Sequence, residues 1–354
     1  MRKKVCLVGY YGYGNFGDDL MLKLLTELLI AQHYDVSVIS KNKCNFISDK
    51  VNQIITEGRW LTWVYIYNFI KHNAIVWGGG TCLYSTNNNI KGLFGVLKRV
   101  FIAKILGCKF HFLGIGIEPS SNKIADFIYR LILTLSDEII CRDLRSHSIL
   151  DSYKKNSIVK SDLTYLLEKE SRMTSSKSGK RAGDYILFCP AGYKNAYDNL
   201  DKLSNLMILL HIRYNKKIVL SSLHDGIDES FINVLYEKLN NKIEIEISYA
   251  RDINEKISDL SNAYFVIGMR LHSIIIADVF NIPVFGISYQ DKVASYLSRF
   301  NFLGNPRFFD IFDEYDFELL TSSISEQQES HHVSDFVSSE KNELNKSIIK
   351  VLGG

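Results

Sequence analysis

Short apolar segments alternate with longer helical patterns along most of the chain. The segments are rich in β-branched and aromatic residues, and they predict strands at residues 5–9, 36–40, 74–77, 110–114 and 138–141, then at 185–189, 217–220, 243–247, 264–267 and 284–287. The clearest helix follows the first strand, because leucines recur at helical spacing at positions 20, 24, 25, 28 and 29. The alternation predicts an α/β fold of parallel sheets with crossover helices.

The alternation stops between residues 168 and 184, where Ser, Lys, Arg and Gly dominate. A chain of 354 residues also exceeds the usual size of one core. We therefore predict a first α/β domain at residues 1–167, a linker at 168–183 and a second α/β domain at 184–314. Residues 315–354 are predicted to be a helical, polar C-terminal segment that ends in an amphipathic stretch.

Composition excludes several classes of protein. A net charge of +3 without a long basic run argues against a nucleic-acid partner. The six cysteines are scattered and lack the spacing of a metal site, so we expect buried thiols in a reducing, cytoplasmic compartment and no metal. The first apolar run is too short for a signal peptide.

One apolar segment, residues 93–112, is interrupted by basic residues that include Lys98, Arg99 and Lys104. Its pattern favours a half-buried helix followed by a strand. The alternative is a peripheral contact with a membrane surface. A membrane-spanning helix is not expected, since no run of about eighteen uncharged apolar residues occurs.

The loop after the first predicted strand contains Gly12, Gly14 and Gly17 in a G-x-G-x-x-G spacing. Such a loop lets backbone N–H groups approach an anion at a helix N-terminus. However, Asp18 and Asp19 place two carboxylates where a pyrophosphate would lie, which disfavours a dinucleotide site. Helix capping is the alternative role, and it explains one aspartate more easily than both.

Two further motifs follow strands of the first half. Gly78-Gly79-Gly80 indicates a backbone that turns sharply or is closely approached, either by a ligand or by the protein itself. A third glycine-containing segment, at residues 114–119, is interpreted as a plain turn. Arg142 ends a predicted buried strand, where its guanidinium could bind a carboxylate or phosphate, or pair with Asp143.

The strongest local motif is Arg270-Leu271-His272-Ser273. An arginine and a histidine here leave a buried strand at the start of an apolar helix, whose N-terminal N–H groups favour anions. This pattern predicts a phosphate or carboxylate site. Downstream, Tyr289 and Lys292 follow the last predicted strand, so Lys292 is either a second cation or an ordinary surface lysine.

In their order along the chain these motifs resemble the polysaccharide pyruvyl transferase family. The resemblance rests on Gly9 to Asp19, the Gly78 to Gly80 loop, Arg142-Asp143, Arg270 to Ser273 and the segment from Tyr289 to Lys292. It implies a GT-B-like fold of two Rossmann-like domains facing across a cleft, the first on the acceptor side and the second on the phosphoenolpyruvate side. It also implies transfer of the enolpyruvyl group of phosphoenolpyruvate onto two sugar hydroxyls, forming a pyruvate ketal.

The family resemblance assigns Arg142, Arg270 and His272 to phosphoenolpyruvate. The residue chemistry agrees, because two guanidinium groups match a ligand that carries a carboxylate and a phosphate. His272 is the candidate general acid, Asp18 or Asp19 the candidate base, and Asn15 the group that orients the sugar. The full set of residues expected to bind substrate is Arg142, Arg270, Lys292, Asn15, Gly12, Gly14, Gly79, Gly80, Ser273 and Tyr289.

The expected partners are phosphoenolpyruvate as donor substrate and a sugar or lipid-linked oligosaccharide as acceptor, with no cofactor. The acceptor class implies a location in the cytoplasm, with peripheral contact at the inner membrane face. Two alternatives stay open: a nucleotide-sugar-dependent glycosyltransferase of the same fold, and a non-catalytic module that binds an anionic metabolite.

Overall fold

The computed structural model describes residues 3–58, 62–85, 90–168, 183–299, 306–329 and 332–353. The chain forms two compact units: unit 1 comprises Met1–Leu166 and Glu340–Gly354, and unit 2 comprises Leu167–Ser339. Nearly all of the predicted linker falls on residues 169–182, which lie outside the described residues. Each unit contains a parallel sheet with helices on both faces.

Unit 1 is built on a parallel sheet whose described strands run in the order β3-β2-β1-β4-β6-β7-β8, with β5 paired to β6. The strands are β1 (Lys4–Val8), β2 (Asp35–Ser40), β3 (Asn52–Ile55), β4 (Ala74–Gly78), β5 (Thr81–Leu83), β6 (Lys109–Ile117), β7 (Ile139–Cys141) and β8 (Ile158–Val159). Strand order reverses between β1 and β4, which are neighbours in the centre of the sheet. Ligands of open parallel sheets bind at such a point, beyond the carboxyl ends of the strands.

The helices of unit 1 cover both faces of this sheet. They are α1 (Phe16–Ala31), α2 (Thr62–Phe69), α3 (Lys91–Ile105), α4 (Lys123–Leu135) and α5 (Leu144–Ser152), with a 3-10 helix at Leu163–Leu166. The predicted leucine stripe of α1 is buried at Leu20, Leu24 and Leu25. Burial of one apolar face is what holds such a helix on the sheet.

Unit 2 repeats the same topology with the strand order β11-β10-β9-β12-β13-β14. Its strands are β9 (Tyr185–Cys189), β10 (Lys217–Leu220), β11 (Ile245–Ile247), β12 (Phe265–Gly268), β13 (Val284–Ser288) and β14 (Phe308–Asp310). Its helices are α6 (Lys194–Asp198), α7 (Leu200–Tyr214), α8 (Ile227–Leu239), α9 (Ile253–Ser261), α10 (Leu271–Val279), α11 (Asp291–Leu297) and α12 (Phe317–Glu329). Here strand order reverses between β9 and β12.

The C-terminal helix α13 (His332–Gly353) contributes its last part to unit 1. Lys160 Nζ pairs with Glu343 at 2.5 Å, and Ser161 Oγ donates a hydrogen bond to Glu340 at 2.5 Å. Lys3 Nζ donates to the carbonyl of Gly353 at 2.5 Å. The predicted C-terminal segment is therefore helical, and its end is part of the first unit rather than an appendage of the second.

The interpretation of residues 114–119 as a plain turn is wrong for residues 114–117. Strand β6 continues to Ile117, and its register with β7 shifts between Leu113 and Ile115. Gly114 has φ +67°, and a Cβ there would approach Leu163 Cγ to 2.6 Å. The glycine that indicated a turn instead permits a strand irregularity against the 3-10 helix.

Residues 93–112 form most of α3 and the beginning of β6, as the favoured interpretation predicted. Within the described part of the chain, every helix is too short or too polar to cross a bilayer.

Candidate functional site

The loop between β1 and α1 is held together by the protein's own polar groups. Asn15 caps α1, and its side-chain oxygen accepts a hydrogen bond from Gly17 N at 3.1 Å. Gly12 N donates to Asp19 Oδ1 at 2.8 Å. Gly12 and Gly14 have φ +73° and +77°, a backbone region that glycine adopts without strain. Asn15 and Asp19 thus have structural roles. The expected roles of Asn15 in sugar binding and of Asp19 in catalysis stay predictions.

Asp18 and Asp19 place two carboxylates in the first turn of α1, with 9% and 7% of their surfaces exposed. The helix dipole stabilises negative charge at this position. The same charges repel a phosphate, whereas carboxylates accept hydrogen bonds from hydroxyl groups. This end of unit 1 therefore suits a hydroxyl-bearing ligand better than an anion.

The Gly78 to Gly80 loop packs tightly against α1. A Cβ would lie 2.6 Å from Tyr11 Oη at Gly78, 2.3 Å from Met21 Sδ at Gly79 and 2.5 Å from Asp18 Oδ1 at Gly80. All three distances are shorter than real contacts allow, so a larger residue does not fit unless the side chains of Tyr11, Met21 and Asp18 move. Close packing explains the three glycines, and the predicted substrate contacts of Gly79 and Gly80 stay predictions.

Arg142 lies buried next to this loop, with 7% of its surface exposed. Its Nη1 pairs with Asp162 Oδ2 at 3.2 Å, Nη2 donates to Thr81 Oγ1 at 3.1 Å, and Nε lies 3.6 Å from Asp143 Oδ2. A Cβ at Gly116 would come within 2.7 Å of Nη2, so the strand makes room for the guanidinium. The pairing with neighbouring acids, given above as the alternative to ligand binding, is present in the structure.

Arg270 is the centre of the corresponding site in unit 2. It directly precedes α10, and its side chain is 11% exposed. Nε donates to Asp228 Oδ2 at 3.0 Å, and Nη2 makes a very short hydrogen bond to Asp228 Oδ1. The carboxylate therefore holds one edge of the guanidinium, and a planar group held at one edge presents its remaining N–H groups in a fixed direction.

Asp228 is completely buried in the first turn of α8 and organises two loops. Besides Arg270 it accepts a hydrogen bond from Gly192 N at 2.9 Å, which fixes the loop after β9. Burial alone lowers the pKa of Arg270, but the hydrogen bonds and charge of Asp228 outweigh it, so that the pKa is raised. The guanidinium is therefore a permanent cation at the edge of the sheet.

Two tyrosines enclose this arginine. The guanidinium carbon of Arg270 lies 4.9 Å from the ring centre of Tyr193, and the rings of Tyr193 and Tyr289 are 5.6 Å apart. Arg270 Nη1 donates a long hydrogen bond to Tyr193 Oη at 3.4 Å. Burial raises the pKa of the Tyr289 hydroxyl, although the charge of Arg270 opposes this shift. Aromatic walls exclude water and strengthen charge-assisted hydrogen bonds to the guanidinium.

The start of α10 carries no acid in its first turn, in contrast to α1. Ser273 Oγ donates to the carbonyl of Arg270 at 2.6 Å, so this serine closes the first turn of the helix. His272 is half-buried at the second position of the helix, and Lys292 is half-buried at the second position of α11. The helix N-terminus and Arg270 together favour an anion here.

His224 is a member of this cluster that sequence reasoning missed. Its carbonyl accepts a hydrogen bond from Asp228 N at 3.1 Å, and its Nδ1 is buried without a hydrogen-bond partner among the described residues. Burial and then the charge of Arg270 lower the pKa of the imidazole, against opposing effects of Asp228 and Asp225. His224 is therefore neutral near pH 7 and offers its ring to a ligand as a hydrogen-bond partner.

A lowered histidine pKa predicts a defined dependence of stability on pH. In the unfolded chain His224 has the ordinary histidine pKa of about 6.5, whereas its pKa in the folded protein is lower. As pH falls below about 6.5 the unfolded state therefore binds a proton more readily, and the free energy of unfolding decreases. In the variant His224→Asn this contribution is absent. We expect the wild type to lose thermal stability from pH 7 to pH 5 more steeply than the variant, as measured by Tm in matched buffers. Parallel pH profiles of the two proteins would contradict the assignment.

A positive control for this comparison is His111, a buried histidine of unit 1. Burial lowers its pKa to about 4, and the nearby charge of Asp137 opposes the shift. Replacement by Asn at this position should flatten the same pH profile by more than His224→Asn does.

The structure thus groups the predicted residues by unit. In unit 1, Gly12, Asn15, Asp18 and Asp19 form one cluster, which reaches the Gly78 to Gly80 loop. In unit 2, Arg270, Ser273 and Tyr289 share one site, and His272 follows Arg270 within two residues. The residues missed by sequence reasoning are Asp228, Tyr193, Gly192 and His224. A usable signal did exist, since the loops after β9 and β10 leave the same sheet edge as Arg270.

Among the described residues, no three His, Cys, Asp or Glu side chains are grouped for a metal ion.

Solved structures define the class of fold. The chain superposes on UDP-N-acetylglucosamine 2-epimerase from Rickettsia bellii with a TM-score of 0.65 at 11% identity, covering 100% of this chain and 98% of that one. The epimerase from Methanocaldococcus jannaschii in complex with UDP-GlcNAc and UDP gives 0.63 at 12% identity, with 99% of each chain covered. A glycosyltransferase from Rickettsia africae ESF-5 gives 0.60 at 12% identity, covering 99% and 98%. The chain is therefore a protein of two Rossmann-like domains with GT-B-like architecture, as the sequence predicted.

The family follows from the sequence. A family model described as polysaccharide pyruvyl transferase matches residues 15–291. Comparison with curated protein sequences returned no match. The chain belongs to the polysaccharide pyruvyl transferase family, which confirms the resemblance stated above.

Proposed function

We propose that this protein transfers the enolpyruvyl group of phosphoenolpyruvate to a sugar, forming a pyruvate ketal and releasing phosphate. The observation that carries the proposal is the contrast between two sites, each at the point where the strand order of its own sheet reverses. The site in unit 1 presents two carboxylates at a helix N-terminus, and the site in unit 2 presents a fixed guanidinium and no acid in the first turn of its helix. A polyhydroxylated acceptor suits the first site, and a small anion suits the second.

Phosphoenolpyruvate fits the unit 2 site by charge. Its carboxylate and phosphate are close together, so a guanidinium, a helix N-terminus and the lysine at the start of α11 can act on one ligand. In this proposal Arg270 binds the anion, Asp228 positions Arg270, and His224 donates or accepts one hydrogen bond. Lys292 supplies the second cation. The expected contact of Arg142 with phosphoenolpyruvate stays a prediction, because its guanidinium is paired with Asp162 and Thr81 in unit 1.

The proposed chemistry needs one general acid and acceptors for two protons. His272 protonates the methylene carbon, which leaves an oxocarbenium-like centre at the neighbouring carbon. One sugar hydroxyl attacks that centre, phosphate departs, and a second hydroxyl closes the ketal. Of the two hydroxyl protons, one restores the imidazolium of His272 and the other leaves with phosphate, with Asp18 or Asp19 as the relay. No cofactor takes part in this scheme.

An acceptor screen tests the proposal. The protein is incubated with phosphoenolpyruvate labelled in its three carbons and a panel of sugars and lipid-linked sugars, with mass spectrometry of the sugars and a phosphate assay. The expected result is a mass gain of one labelled pyruvate ketal, with phosphate released in equal amount and only when the acceptor is present.

The same experiment separates the alternatives. A nucleotide-sugar-dependent glycosyltransferase would give glycosyl products from UDP-sugars and no label from phosphoenolpyruvate. A binding module would show a Tm increase with phosphoenolpyruvate but no phosphate release with any acceptor. Either outcome would refute the proposed reaction.

A further inference from the structure

Three neighbouring helices on one face of the unit 1 sheet expose large apolar side chains. Helix α3 packs against both α2 and α4, and the inner faces of all three contribute to one core cluster. The exposed side chains, which we call the apolar surface, are Trp63, Tyr67, Ile70, Phe94, Phe101, Ile105, Ile124 and Phe127. Single exposed apolar residues are ordinary, but a group of this size on adjacent helices indicates an interaction site.

The exposed residues follow the helical repeat. On α2, Trp63 and Tyr67 are four residues apart and are 80% and 63% exposed, and Ile70 follows three residues later. On α3, Lys91, Phe94, Lys98, Phe101 and Ile105 are spaced by three and four residues, so they lie along one face. That face alternates cationic and apolar side chains. A helix stripe of this composition matches the boundary between lipid headgroups and acyl chains.

Charge distinguishes α2 and α3 from the rest of the protein, whereas α4 carries Asp126, which pairs with Arg130 at 3.0 Å. From residue 62 to residue 117 the sequence contains six Lys and Arg and no Asp or Glu, whereas the remaining chain has 36 basic and 39 acidic residues. The side chains of Lys71, Lys91, Lys104 and Lys109 are exposed. Lys71 Nζ lies 3.4 Å from the ring centre of Tyr67. The partner of this surface is therefore anionic as well as apolar.

A groove continues the apolar surface at the side of α2. It encloses about 1570 Å³, and its walls include Trp63, Tyr67, Lys71, Lys4 and Lys50. It lies at the amino ends of β1, β2 and β3, the sheet edge opposite the glycine loops. Lysines around an aromatic-walled groove are suited to the phosphate of a lipid headgroup with its glycerol and upper acyl carbons below.

We propose that unit 1 docks through the apolar surface and its lysines on a membrane that carries anionic lipids. A nucleic acid would be attracted by the lysines but would leave the aliphatic side chains exposed to water. A neutral bilayer would bury the apolar side chains but would gain no attraction from the lysines. Docking uses no residue of the proposed reaction, so docking and catalysis can fail independently.

Vesicle binding tests the proposal with the complete chain. The protein is mixed with phosphatidylcholine vesicles and with vesicles that also contain about 30% phosphatidylglycerol, and the bound fraction is measured by sedimentation. Binding is expected only to the anionic vesicles and is expected to fall with added salt. The variant Lys91→Glu/Lys104→Glu should bind at least about twentyfold more weakly. The variant Trp63→Ser/Phe101→Ser should lose at least about tenfold.

Matched controls come from unit 2. Ile212 and Tyr249 are 70% and 80% exposed, and Lys242 is also exposed. The variants Ile212→Ser/Tyr249→Ser and Lys242→Glu should bind vesicles like the wild type. All variants replace surface residues, so an unchanged Tm checks that folding is intact.

Three results would overturn the inference. In the first, the wild type does not bind anionic vesicles. In the second, the variants Lys91→Glu/Lys104→Glu and Trp63→Ser/Phe101→Ser bind as well as the wild type. In the third, sedimentation velocity shows a dimer that depends on Trp63, and vesicles are not bound. The last result would identify a second copy of the chain as the occupant.

Discussion

Replacing Arg270 by methionine is expected to destabilise the protein and to abolish tight binding of phosphoenolpyruvate. The substitution leaves Asp228 charged and fully buried, with Gly192 N still donating a hydrogen bond to it. Breaking a buried pair in this way costs about 3–5 kcal/mol of unfolding free energy. Loss of the cation should weaken phosphoenolpyruvate binding at least about 30-fold, since a desolvated charge contact contributes ~2 kcal/mol or more.

A second substitution separates the two effects. In Arg270→Met/Asp228→Asn the uncompensated charge is gone, so at least about 2 kcal/mol of the lost stability should return. Phosphoenolpyruvate affinity should stay low, because no guanidinium has been restored. Denaturant unfolding and isothermal titration with phosphoenolpyruvate measure the two quantities separately. Recovery of both in the double variant would show that Arg270 acts only by neutralising Asp228.

The protein supplies a matched control in another buried ion pair of unit 2. Arg307 Nη2 pairs with Asp278 Oδ1 at 2.5 Å, and the two side chains are 2% and 1% exposed. Tyr296 Oη also donates to Asp278, at 2.8 Å. The variant Arg307→Met should lose a similar amount of stability and keep its phosphoenolpyruvate affinity. If Arg307→Met also lost phosphoenolpyruvate affinity, the weaker binding of Arg270→Met would reflect general destabilisation of the protein and not loss of a ligand contact.

The second large effect is expected at His272. Replacement by glutamine keeps a polar side chain of similar length but removes a group that transfers protons near neutral pH. With the acceptor identified by the mass screen, kcat should fall by about 10²–10⁴-fold, the usual contribution of general acid catalysis. Phosphoenolpyruvate affinity should change by less than about threefold, because the proposed anion ligands are intact.

The control for this variant is His211→Gln, at a half-buried histidine of the same unit whose Nδ1 contacts the carbonyl of Lys216 at 2.9 Å. Its kcat should match the wild type. If His272→Gln retains a kcat within about threefold of the wild type, the general acid is another group.

The central strands were predictable from sequence because strands buried on both faces are continuous apolar runs. Strands β3, β5, β8 and β14 were missed, since each of them is only two to four residues long. Such strands form by pairing with a neighbour, as β14 does with β13, and a mixed polar sequence carries little sign of that pairing.

The site was only partly predictable for a related reason. Arg270 carries a local signal, because an arginine rarely ends a buried strand without a partner. Its partner Asp228 lies 42 residues away, next to a helix start where an acid is ordinarily a cap. Likewise Arg142 was recognised as a candidate, but its contact with Asp162 depends on how the chain returns to the sheet edge after β8. Long-range ion pairs are set by topology, which local sequence patterns do not encode.

The chain passes from unit 1 to unit 2 near residue 166 and back near residue 339, so the first unit is discontinuous in sequence. During synthesis, unit 1 therefore cannot form all of its contacts until residues 340–354 have been made. These contacts include the pairs of Lys160 and Ser161 with α13. Unit 2 ends at Ser339, within α13, so this one helix supplies the last residues of both units. Both units therefore complete their contacts only after α13 has been synthesised, although unit 1 begins first.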